Sequence, residues 1–85
     1  MQNIEIKISN PLEINIKINS KIGKIYFDEN FVNRGAFTKP LLDFHFFEKA
    51  FLNLEDGLIE WPNSFAIALS EIEFILETSN EIFIN

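Results

Sequence analysis

The side chains with the clearest chemical potential are few and lie far apart in the chain. His45 and Glu48 stand three residues apart, a spacing that puts two metal ligands on one face of a helix. Asp43 is the one nearby third donor. Two ligands at this spacing make at most half a site, and no second histidine and no cysteine completes it. His45 therefore reads as a solvated histidine on a polar face, and neither a metal nor a cofactor is expected. Nucleophilic catalysis lacks its parts too. Five serines are scattered without a G-x-S-x-G elbow, and a single histidine would have to serve any of them. The carboxylate pairs Asp28-Glu29 and Glu55-Asp56 fall in turns, where adjacent side chains point apart and stay hydrated. A general acid needs a desolvated carboxyl instead. The three glycines are isolated, so no glycine-rich loop can cradle phosphate. The inventory points away from an enzyme.

Residues 70–77 suggest recognition rather than catalysis. On a helical wheel starting at Ser70, the residues Leu69, Ile72, Ile75 and Leu76 share one arc and should face a sheet. Phe74 falls on the far side, with Glu71 on one flank and Glu73 and Glu77 on the other. Glu73 and Glu77 are four apart, and no lysine or arginine occurs anywhere in residues 50–85. An aromatic ringed by acids suits a basic, partly apolar groove, so Glu71, Glu73, Phe74 and Glu77 form the candidate partner surface. The competing expectation is that residues 79–85 fold back and that Ile82 or Phe83 covers Phe74.

The charge distribution favours the same end of the chain. Residues 1–49 carry seven basic and six acidic residues, a net of +1, whereas residues 50–85 carry seven acids alone, a net of −7. Abundant Ile, Asn, Lys and Phe suggest an A/T-rich bacterial genome, but codon bias cannot explain why lysine vanishes after Lys49. A formal charge of −6 and a pI near 4.6 argue against direct nucleic-acid binding. They leave two readings, a solvated acidic surface that aids solubility or a surface that meets a basic protein.

These groups need elements to hold them. At 85 residues, 47% hydrophobic, the chain is read as one ordered domain over 1–85. The absence of cysteine excludes a disulfide framework. The longest apolar run, Phe65 to Leu69, is too short for a bilayer, and MQNIEIKISN lacks a signal core. A cytoplasmic protein with no membrane contact is the expectation. Isoleucine alternates with polar residues over Asn3–Ser9, and Leu12, Ile14, Ile16 and Ile18 do so after the turn at Asn10-Pro11. Both are half-buried strands, paired so that either Lys7 lies near Glu13 or Glu5 lies opposite Lys17. Asn19-Ser20-Lys21 turns the chain into a third strand over Ile22–Phe27, where Gly23 marks a bulge or a close backbone approach. Residues 28–43 read as a connector. Asp43 caps a short helix over Phe44–Lys49, with Phe44, Phe47 and Phe51 on one side. A strand near Ala50–Leu54 turns at Glu55-Asp56-Gly57 into Leu58–Trp61 and stops at Pro62. Ser70-Glu71-Ile72-Glu73 fits a capping box for a last helix, and residues 79–85 form an extended tail. The class is α+β, a small antiparallel sheet of hairpins with two short helices packed on it. Its expected core is Ile14, Ile16, Ile18, Phe47, Leu52, Ile59, Trp61 and Ile72. Twelve aromatic residues exceed what a lone domain easily covers, so a homodimer through the tail or an outer strand is expected.

The run Arg34-Gly35-Ala36-Phe37, then Leu41-Leu42-Asp43, Phe47, and Asp56-Gly57-Leu58-Ile59-Glu60-Trp61-Pro62-Asn63 resembles a small bacterial family, domain of unknown function 2442. The resemblance spans about residues 10–76, and Trp61-Pro62-Asn63 at this distance after Asp56-Gly57 is its most specific part. It departs at Lys21, where members often have glycine, at Ser64, where glycine usually follows Trp-Pro-Asn, and at Ala66, where aspartate is common. The resemblance implies an α+β domain without established catalysis. Members are often encoded beside a second small protein, which implies the antitoxin half of a pair, and some are followed by a helix-turn-helix domain. The leading expectation is thus a non-enzymatic module that neutralises or scaffolds a basic protein. The alternatives are an accessory domain in transcriptional control, acting with a separate DNA-binding protein, and an acidic nucleic-acid mimic.

Overall fold

Alternating isoleucines build the first sheet. In a computed structural model that describes residues 3–85, β1 (Ile4–Lys7), β2 (Glu13–Ile18) and β3 (Lys21–Phe27) form an antiparallel meander. Ile14, Ile16 and Ile18 turn inward and are fully buried. Of the two registers the charges permit, the chain adopts the one with Glu5 opposite Lys17 and Ile6 opposite Ile16. Leu12 takes a left-handed conformation (φ 58°) in the β1–β2 connection, and Asn3 pairs with Asn19 at the far end, the Asn3 N–H donating to Asn19 Oδ1 at 3.0 Å and the Asn19 N–H to the Asn3 carbonyl at 2.7 Å. Gly23 pairs regularly with Ile16, so there is no bulge. It marks a close approach instead. A Cβ at that position would run into the Leu76 side chain and lie 3.1 Å from the Asn80 carbonyl.

The expected connector over residues 28–43 contains a helix. Asp28 accepts the Asn30 N–H at 3.4 Å and caps α1 (Glu29–Arg34), which buries Val32. The Thr38 hydroxyl donates to the Val32 carbonyl at 2.7 Å, and a 3-10 turn over Lys39–Leu42 buries Leu41. Asp43 caps α2 as expected, accepting the His45 N–H at 3.0 Å, but α2 covers only Phe44–Phe47. Phe51 does not share the buried side of Phe47. The helix has ended and Phe51 lies exposed on β4 (Phe51–Asn53).

β4 turns through Gly57 (φ 70°) into β5 (Leu58–Glu60), and β6 (Ala66–Ala68) adds a third strand. The chain passes from β6 directly into α3 (Leu69–Leu76), with Ala68 at the N-cap and no side-chain cap hydrogen bond. The expected Ser70–Glu73 capping box is therefore not formed, because the helix begins before Ser70 and leaves it inside the first turn. Residues 79–85 do not hang as a tail: β7 (Glu81–Ile84) lies parallel to β3 and buries Ile82.

The fold is α+β, and the described residues form two sheets rather than one and three short α-helices rather than two. The sheet orders are β1-β2-β3-β7 and β4-β5-β6. Both sheets feed one hydrophobic cluster. Every expected core residue joins it except Leu52, which packs half-buried at its rim because β4 is an edge strand. Trp61 is fully buried, with ring centroids 5.8 Å from Phe27, 5.7 Å from Phe47 and 5.5 Å from Phe65. Among the described residues, no helix is long and apolar enough to cross a membrane.

Candidate functional site

α3 follows its strand so closely because Leu69, Ile72 and Leu76 are drawn into the shared core. That burial fixes the rotation of the helix, and the opposite crest falls on Phe74, which is 74% exposed. β7 does not fold over it. Ile82 turns into the core, and Phe83 stacks on Tyr26 with centroids 5.2 Å apart.

Two concavities flank the crest. On one side a groove of about 500 Å³ runs between β6, α3 and β7, lined by Ala66, Ile67, Ala68, Ile75 and Ile84 among others. Among the described residues, Glu71 alone brings a charge to its lining. On the other side, Ser70 and Glu73 line a smaller cleft with Leu54, Asp56 and Gly57 from the β4–β5 turn. Asp56 is held in that turn by Asn53, whose Nδ2 donates to Asp56 Oδ2 at 3.1 Å. Glu77 sits at the C-terminal cap of α3, where the helix carbonyls already carry partial negative charge. An anion there favours the approach of a cation. The structure thus places Glu71, Glu73, Phe74 and Glu77 around one helix, with Phe74 at the crest, Glu71 towards the apolar groove and Glu73 in the acidic cleft.

The other chemistry-bearing residues have structural tasks. Asp43 caps α2, and Asp28 caps α1. His45 lies 3.5 Å from Glu48 on an exposed surface, and the described residues hold no group of three or more His, Cys, Asp or Glu side chains able to bind a metal ion. The Trp-Pro-Asn segment is a clamp. Trp61 Nε1 donates to the Phe47 carbonyl at 2.9 Å, and Asn63 Nδ2 donates to the Phe37 carbonyl at 2.9 Å. Asn63 Oδ1 also accepts the Phe65 N–H at 3.2 Å, and Ser64 takes a left-handed φ of 73° to close the loop into β6. That conformation is one for which glycine is best suited.

Sequence reasoning missed the groove beside α3. The Phe65–Leu69 run held its signal, since a short unbroken apolar run is what a buried strand presents.

The chain has a small α+β fold whose last helix shows an exposed aromatic among acids. No family model, no curated protein and no solved structure matches it.

Proposed function

We propose that the chain is a non-enzymatic interaction module of the cytoplasm, binding a small basic protein through the outer surface of α3. The observation that carries this reading is Phe74, 74% exposed on an acidic helix in a half-chain without a single base. Burying such a ring against a partner returns about 2 kcal/mol of hydrophobic free energy that the isolated fold forgoes. Glu71 and Glu77 flank it on either side, so a partner presenting an apolar pocket rimmed by lysine or arginine is complementary. The apolar groove beside Glu71 extends the contact area.

Membership of the domain of unknown function 2442 family belongs to the same proposal. It draws on the Asp56-Gly57 to Asn63 segment and on Ser64, whose left-handed φ suits the glycine usual there. Under that membership the partner is the second small protein encoded alongside, and the chain acts in the manner of an antitoxin. The test compares the wild-type chain with Phe74→Ala for capture of that neighbouring protein. Capture lost with the fold intact supports the reading; capture retained by Phe74→Ala overturns it.

A further inference from the structure

The sheet β1-β2-β3-β7 gives one face to the core and shows the other outward, and that outward face differs from the rest of the surface in its charge. The register sets three glutamates, 5, 13 and 81, among three lysines, 7, 17 and 24. Glu5 lies opposite Lys17, Lys24 lies opposite Glu81, and Lys24 Nζ is 3.9 Å from Glu13. The face is neutral in a chain of net charge −6. It is also partly apolar: Ile22 is 68% exposed and Phe83 62%, and Phe83 is already held against Tyr26.

We propose that this face is where a second copy of the chain packs, sheet against sheet, about a dyad parallel to the strands. Two copies of an acidic protein repel one another through most of their surfaces, whereas a neutral face bearing both signs can pair with itself. With the dyad between β2 and β3, each β1 overlies the partner's β7 and each β2 overlies the partner's β3. Cross-strand rows then meet in register. Lys7 faces the partner's Glu81, Asn15 faces the partner's Lys24, and Glu13 faces the partner's Tyr26. The aliphatic stem of Lys17 covers the partner's Ile22. No like charges are opposed in this arrangement, and two-fold symmetry makes every pairing twice. Four strands at sheet spacing give a flat footprint of roughly 400 Å². That is below the ~800 Å² per partner of stable interfaces, so the dimer is weak and forms in the micromolar range or above.

Sedimentation velocity across that concentration range is the test. Wild-type chain should pass from monomer to dimer. Lys7→Glu opposes two carboxylates at both symmetry-related contacts and should raise the dimer dissociation constant about tenfold. Lys7→Glu combined with Glu81→Lys should restore it. Within one chain these two residues stand on opposite edges of the sheet, three strand spacings or about 14 Å apart, so an intrachain contact cannot account for rescue. A wild-type monomer throughout, a dimer indifferent to Lys7→Glu, or a double variant that stays monomeric overturns the proposal. Independently of any variant, concentration-dependent amide shifts in the wild-type chain should fall on the four-stranded sheet; shifts confined to α3 also overturn it.

Discussion

Replacing Trp61 with phenylalanine measures how firmly the second sheet is clamped to α2. The indole is fully buried and donates to the Phe47 carbonyl at 2.9 Å. Losing that hydrogen bond costs about 1 kcal/mol. The carbonyl is not orphaned, because it also accepts the Ala50 N–H at 3.3 Å. The smaller ring leaves roughly 40 Å³ unfilled, worth about 1 kcal/mol at the usual dependence on cavity volume. Altered contacts with Phe27 and Phe65 add about 0.5 kcal/mol. The total is about 2–3 kcal/mol, a large share of the ~4–13 kcal/mol that per-residue stabilities give a chain of this size. Urea unfolding followed by far-ultraviolet circular dichroism is the assay, since the variant has no tryptophan to report by fluorescence. The midpoint should fall with the slope unchanged. A loss below about 0.5 kcal/mol would refute the clamp, because such a loss is typical of a surface substitution.

Three further outcomes follow from the packing. Ile16→Ala, on the fully buried face of β2, should cost about 2–5 kcal/mol, read from the same denaturation curve. Ser64→Gly should stabilise the fold by about 0.5 kcal/mol, because relief of the left-handed φ exceeds glycine's extra entropy in the unfolded chain. Thermal melts with and without a chelator should coincide, since Asp43 is engaged as a helix cap and the described residues form no group of three ligands around His45 and Glu48.

The first sheet was legible because its isoleucines alternate over β1 and β2, a period that only a strand satisfies. Its register was not. Both candidate pairings matched opposite charges, and what distinguishes them is the turn at Leu12 and the pairing of Asn3 with Asn19. α1 escaped because Asp28-Glu29 read as a turn, although the same Asp28 is its N-cap. The capping box at Ser70 failed for a tertiary reason: burying Leu69 starts the helix earlier, and core packing outweighs a cap worth about 1 kcal/mol. β7 was visible as an extended segment, but its parallel partner lies more than fifty residues back and no local pattern could name it. The exposure of Phe74 was legible, because the wheel that buries Ile72 and Leu76 turns Phe74 outward. The groove beside it needs β6 and β7 brought together, which only the fold supplies.

The proposed role of α3 is tested most directly by titrating the small basic protein proposed as its partner into the wild-type chain and into Phe74→Ala, with a denaturation curve for each. The wild-type affinity should weaken as salt rises, since acids at the rim contribute to it. Phe74→Ala should lose about 2 kcal/mol of binding, roughly thirtyfold in the dissociation constant. Its unfolding midpoint should move by no more than about 0.5 kcal/mol, as for an exposed side chain. Undiminished binding by Phe74→Ala, whatever its stability, would contradict the assignment of α3 as the partner surface.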